Sequence, residues 1–159
     1  MNLYAGVDLS LTGTGAVLID QDAKIIQQRL IVTTPKKIIE QRIMDINTEV
    51  LLSIPPFSII YMEGLAFGAR GSSMLELAAL HYFIRITFLK NKDNYKVISP
   101  GTLKKFVTGK GSAKKELMLL NVYKKWGESF KDNNICDAYC LARLALHEAQ
   151  PKTKLKLRK

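Results

Sequence analysis

Two short apolar runs in this chain each end on a carboxylate. Leu3 to Asp8 reads Leu-Tyr-Ala-Gly-Val-Asp, and Phe57 to Glu63 reads Phe-Ser-Ile-Ile-Tyr-Met-Glu. Runs of that length and composition are buried strands. A third acid, Asp137, sits in the first turn of an apolar helical stretch, Ile135 to Ala142. A lone buried charge is costly, so each of these acids needs a partner. If the strands are neighbours and the helix starts beside their ends, the three acids converge and repel. A divalent cation resolves that repulsion, and oxygen ligands with no His or Cys nearby point to Mg2+ or Mn2+. Two such ions about 4 Å apart suit in-line displacement at a phosphodiester. Singly, each acid also has an ordinary reading: a turn acid at 8, a strand-edge charge at 63, a dipole-stabilised helix acid at 137.

The rest of the chain supplies an α/β frame. Thr12-Gly13-Thr14-Gly15 is turn chemistry, followed by strands at Ala16 to Ile19 and Lys24 to Val32. Short turns between three strands predict an antiparallel meander. Pro35 fits a first helical position, and Ile38, Ile39, Ile43, Ile46, Val50 and Leu51 predict an amphipathic helix over 36–52. Pro55-Pro56 stops it, and Phe57 to Met62 is a fourth, central strand. Gly64 to Ser72 is a Gly-rich loop, Ser73 to Lys90 a long helix, and Tyr95 to Ile98 a fifth strand. A short helix near 102–107, a helix from Ser112 to Trp126 and a last helix capped by Asn133 or Asn134 complete the order. The expectation is one domain over 1–150, a mixed sheet with helices, and a basic tail over 151–159.

Charge narrows the partner. The 159 residues hold 24 basic and 14 acidic side chains, a net of +10. Pro100–Lys125 and Lys152–Lys159 together contain twelve of the basic residues and one acid, so they carry the whole imbalance. Such a stripe neutralises phosphates and favours nucleic acid over membrane. No apolar run is long enough to span a bilayer, and no signal peptide is recognisable. Two cysteines are no disulfide framework, so a soluble, intracellular, reducing setting is expected. Cys136 and Cys140 with His147 lack a fourth zinc ligand and read as core thiols. His81 has no acid near it in sequence and reads as a core or surface histidine. The Asp8 turn also resembles the phosphate loop of actin-like kinases, but this length leaves no room for their second half.

The set of motifs resembles the RuvC Holliday-junction resolvases of the RNase H-like fold, in their short phage-encoded branch. The likeness runs over about residues 3–149. It rests on Gly6-Val7-Asp8-Leu9-Ser10 with Thr12-Gly13-Thr14-Gly15, on Met62-Glu63 before an aromatic-bearing loop, on Thr108-Gly109-Lys110-Gly111-Ser112-Ala113-Lys114-Lys115, and on Cys136-Asp137-Ala138-Tyr139-Cys140-Leu141-Ala142. The resemblance implies a five-stranded mixed sheet and a homodimeric, Mg2+-dependent endonuclease in which Mn2+ substitutes. It implies paired nicks in four-way DNA junctions inside a bacterial host cytoplasm, leaving 5′-phosphates and 3′-hydroxyls. By position, Asp8, Glu63 and Asp137 would be metal ligands. Lys104 and Lys115 would lie near the scissile phosphate, with Lys115 or Lys104 stabilising the transition state. Phe67 would press on junction bases, and Lys105, Lys110 and Lys114 would join the DNA contacts. The family usually has Asp or His three residues before the last Asp. Here that residue is Asn134, and Asp132 is expected to swing in as the fourth acid, ahead of the Asn134 amide. Two rivals share parts of the pattern: an RNase H-like nuclease for flaps, forks or hybrids, and a non-catalytic branched-DNA-binding protein.

Overall fold

A computed structural model describes residues 2–65 and 72–150. Five strands form one sheet: β1 (Tyr4–Asp8), β2 (Thr14–Ile19), β3 (Ile25–Ile31), β4 (Ile59–Glu63) and β5 (Asn94–Ile98). Their spatial order is β3-β2-β1-β4-β5. β1–β2 and β2–β3 pair antiparallel, the expected meander, while β1–β4 and β4–β5 pair parallel. The helices are α1 (Ile39–Ser53), α2 (Ser72–Asn91), α3 (Pro100–Thr108), α4 (Lys115–Trp126) and α5 (Asn133–Ala149). The architecture is thus the α/β mixed sheet the sequence implies.

The period of two along each central strand splits the core into two layers. Ala5, Val7, Leu18, Ile60 and Met62 face α1 and α2, where Ile46, Leu80, Ile84 and Phe88 are buried. Tyr4, Val17, Ile19 and Tyr61 face the other side, against Leu103, Met118, Tyr139 and Leu141 of α3–α5. Asp8 has the parity of Tyr4, and Glu63 that of Tyr61, so both acids point toward α5.

Two glycines let α5 lie directly on the sheet. A Cβ at Gly6 would stand 1.8 Å from the Ala138 carbonyl oxygen, and one at Gly15 would stand 2.2 Å from that of Asn134. At the far edge Arg42 ties α1 to the β1–β2 turn, donating to the Leu11 carbonyl at 2.7 Å and to Thr33 Oγ1 at 3.1 Å. β3 occupies one rim of the sheet, with Ile26 and Leu30 exposed.

Some boundaries differ from expectation. Pro35 opens a turn closed by the Lys37 N–H on the Thr34 carbonyl, and α1 starts at Ile39. Gly111 and Ser112 form a turn before α4, closed by the Ala113 N–H on the Lys110 carbonyl, and α4 starts at Lys115. α3 starts earlier, at Pro100, because the Ser99 hydroxyl caps it by accepting from the Thr102 N–H at 3.1 Å. Among the described residues no helix is long and apolar enough to cross a membrane.

Candidate active site

Adjacent parallel strands β1 and β4 run in register, Val7 opposite Met62, so their next residues, Asp8 and Glu63, end side by side. Asp137 arrives from the start of α5, which the two glycines hold against the strands. The three side chains each offer a carboxylate oxygen within 4.8 Å of the others. Among the described residues this is the one such group of three or more potential ligands. Asp8 is 8 % exposed, and the other two are half-buried.

The electrostatics follow from burial and crowding. Burial first, then the Glu63 charge, pushes the Asp8 carboxyl up to about 9. Asp137 is pushed up to about 6, again by burial first and Glu63 second. Burial raises Glu63 too, while its hydrogen bond with Asp8 and the charges of Lys104 and Lys115 pull the other way. Without a cation the trio therefore retains a proton at neutral pH. An all-oxygen donor set that self-repels fits a hard divalent cation.

These acids line a cavity of about 300 Å3. Lys104 of α3 and Lys115 of α4 line it as well, with Leu77, Leu103 and Met118 as apolar wall. Asn134 also reaches the cavity, its Nδ2 donating to the Gly13 carbonyl at 2.6 Å. Asp132 is placed otherwise than expected. It is the N-cap of α5, the role expected of Asn133 or Asn134, and its Oδ1 accepts from the N–H groups of Asn134 at 2.8 Å and Ile135 at 3.0 Å. It stands outside the three converging carboxylates, because those two backbone N–H groups hold its oxygen at the helix end. Lys105, Lys110 and Lys114 are exposed and lie outside the cavity. Phe67 falls outside the described residues.

His81 is the site residue that sequence reasoning misses. It is buried on α2 and lines the same cavity. Burial, reinforced by Arg85, lowers its imidazole to about 4, so it stays neutral. The Leu77–His81 spacing of four on one helix face is the only signal, and nothing in sequence ties that face to the acids. Cys136 and Cys140 are buried free thiols, as expected. A wider hollow of about 680 Å3 lies at the β3 rim, but its charged groups are already paired, Arg29 with Glu49 and Lys37 with Asp45. Volume does not select the site; converging charge does.

Comparisons with known proteins give the family and the fold. The family model described as crossover junction endodeoxyribonuclease RuvC matches residues 4–144. No curated protein matches the chain. Among solved structures, Thermus thermophilus RuvC superposes with a TM-score of 0.75 at 19% identity, covering 92% of this chain and 93% of that one. The same protein in complex with Holliday junction substrate gives 0.75 at 20% identity, covering 93% of each chain. The fowlpox virus Holliday junction resolvase gives 0.60 at 12% identity, covering 92% of this chain and 99% of that one. At such identities the structural likeness speaks for the shared fold.

Proposed function

The chain belongs to the RuvC family of crossover junction endodeoxyribonucleases, and from that premise we propose that it resolves four-way DNA junctions by paired, metal-dependent nicks. The observation that carries this reading is the meeting of Asp8, Glu63 and Asp137 beside Lys104 and Lys115 in one cavity.

Asp8, Glu63 and Asp137 hold the divalent cations, Mg2+ with Mn2+ as a substitute, and Asn134 offers a neutral oxygen at the rim. Bound there, the cations would supply charge neutralisation and Lewis acidity at the scissile phosphodiester. Lys104 and Lys115 bind the non-bridging oxygens of that phosphate and offset the charge that grows on them. Leu77, Leu103 and Met118 keep bulk water from the acids, which strengthens every charge interaction inside. His81, neutral throughout, adds a polar wall without repelling the cations. Lys105, Lys110 and Lys114 dock the junction arms, and Phe67 presses on bases at the crossover.

Paired nicking needs two sites, and the surface of α2 supports a homodimer. Leu75, Tyr82, Phe83, Ile86 and Leu89 are exposed on one long helix whose other face is buried. A symmetric partner would cover that stripe.

The test is a panel of four-way junctions, flaps, forks and RNA–DNA hybrids, each incubated with and without Mg2+. Junction cleavage that requires the cation and disappears in Asp8→Asn is expected. Equal or faster cutting of hybrids or flaps, or junction cutting by Asp8→Asn, overturns the proposal.

A further inference from the structure

Helices α3, α4 and α5 meet a second time, at their C-terminal halves, away from the carboxylates. A hollow of about 230 Å3 there is lined by Phe106, Lys125, Trp126, Arg143, His147 and Gln150, and no acid lines it. The nearby Glu148 is occupied by Tyr61 and Lys96. The Arg143 guanidinium lies 4.6 Å over the Trp126 ring and donates from Nη1 to the Tyr139 hydroxyl at 3.1 Å. That leaves most of its N–H donors unspent among the described residues. Lys125 gives one donor to the Phe106 carbonyl at 3.3 Å and keeps the others. The His147 ring rests against Phe106, centroids 5.4 Å apart.

We propose that this hollow is a second phosphate subsite, gripping the DNA backbone of a junction arm beyond the cut. The inference rests on the junction-binding function proposed above and adds to it a contact outside the catalytic cavity. Three features point to phosphate. Nitrogen donors from three side chains converge with no acid among them. The planar guanidinium is fixed in advance by its aromatic stack, so less freedom is lost when an anion binds. The volume falls below the ~300 Å3 typical of small-molecule sites yet admits a phosphate group.

The spacing suits one duplex arm. Lys115 borders the catalytic cavity and Lys125 the second hollow, ten residues apart on a single helix. At ~1.5 Å per residue that is ~15 Å. Along B-form DNA it corresponds to about four to five base steps of ~3.4 Å. Lys124 precedes Lys125 on the same helix and is exposed as well.

Trp126 is the only tryptophan in the chain, so its emission reports on the hollow directly. The wild-type protein is titrated with a four-way junction in metal-free buffer, and affinity is measured across a salt series. A saturable change in Trp126 emission is expected. Both Arg143→Gln and the double variant Lys125→Gln/His147→Gln should flatten the slope of log affinity against log salt by ~0.9, one phosphate contact. A neutral methylphosphonate placed about four to five nucleotides from the cut should weaken wild-type binding and leave the double variant's affinity unaltered. Lys125 and His147 are exposed, so the double variant keeps the test valid if Arg143→Gln fails to fold. Unchanged emission at saturation, or wild-type slopes in the double variant, overturns the subsite. If the wild type neither binds nor cuts junctions, the proposed function itself fails, which is a separate result.

Discussion

Burial cost makes the acids at 8, 63 and 137 legible in the sequence, because a carboxylate at the end of an apolar strand has few ways to exist. Burial and crowding of these acids also make the stability of the fold depend on pH. Asp8 is raised to about 9 and Asp137 to about 6, both from an ordinary 3.8. The folded chain therefore binds these protons more tightly than the unfolded one. Their contribution to stability is full below pH ~4 and is lost as pH rises through about 6 and then about 9. In chelator, the melting midpoint should fall between pH 5 and pH 9. Asp8→Asn should raise it at pH 8 by ~4 °C or more and flatten its pH dependence. A flat wild-type profile would remove the electrostatic account of the site. Asp132 caps α5 because a carboxylate just before a helix satisfies its free backbone N–H groups, while its charge still reaches Asp137. Asp132→Ala should cost about 1 kcal/mol in denaturant melts while keeping cation affinity. Loss of cation binding measured by calorimetry would return Asp132 to the ligand set. Lys115→Ala should slow single-turnover cleavage by about 10²- to 10³-fold with little loss of affinity; a pure affinity loss would make it only a phosphate clamp.

Among the elements, the strands and long helices are readable from period and length, since both depend on which residues can be buried. Their ends are less so. Helix starts at 39, 100 and 115 are decided by turn hydrogen bonds and by the Ser99 cap, which compete locally within a residue or two. Invisible in sequence is the use of Gly6 and Gly15. They read as strand and turn glycines, yet they set how near α5 comes. Gly15→Ala would drive a methyl group into the Asn134 carbonyl, and α5 would have to move outward. The expected result is a loss of about 1–3 kcal/mol together with weaker cation binding, because Asp137 moves with its helix. Gly13, whose nearest neighbours are side chains at 3.3 and 3.6 Å, should accept Ala with little change. Equal melting points for the two variants would show that the sheet–helix approach has slack.

Across the molecule the longest run of exposed apolar side chains on one element is that of α2. An excess of apolar residues on α2 is apparent from composition, but which of them face outward depends on Leu80, Ile84 and Phe88 filling the core, a matter of packing that composition does not carry. If the proposed homodimer forms through α2, Ile86→Asp with Leu89→Lys should convert it into a monomer by sedimentation, and a wild-type protein that sediments as a monomer overturns the dimer. The two strands of a junction should then be cut in independent events, not together. A variant that stays dimeric would move the interface elsewhere. The rim strand β3 carries a further consequence, this time for handling. A rim strand with exposed Ile26 and Leu30 is a template for sticking to its own kind. Copies carrying +10 hold one another off, and that mutual repulsion is the safeguard. Contaminating polyanions or concentrated salt cancel it, so turbidity on storage should track whatever neutralises the protein, and clear when the neutraliser is dialysed away.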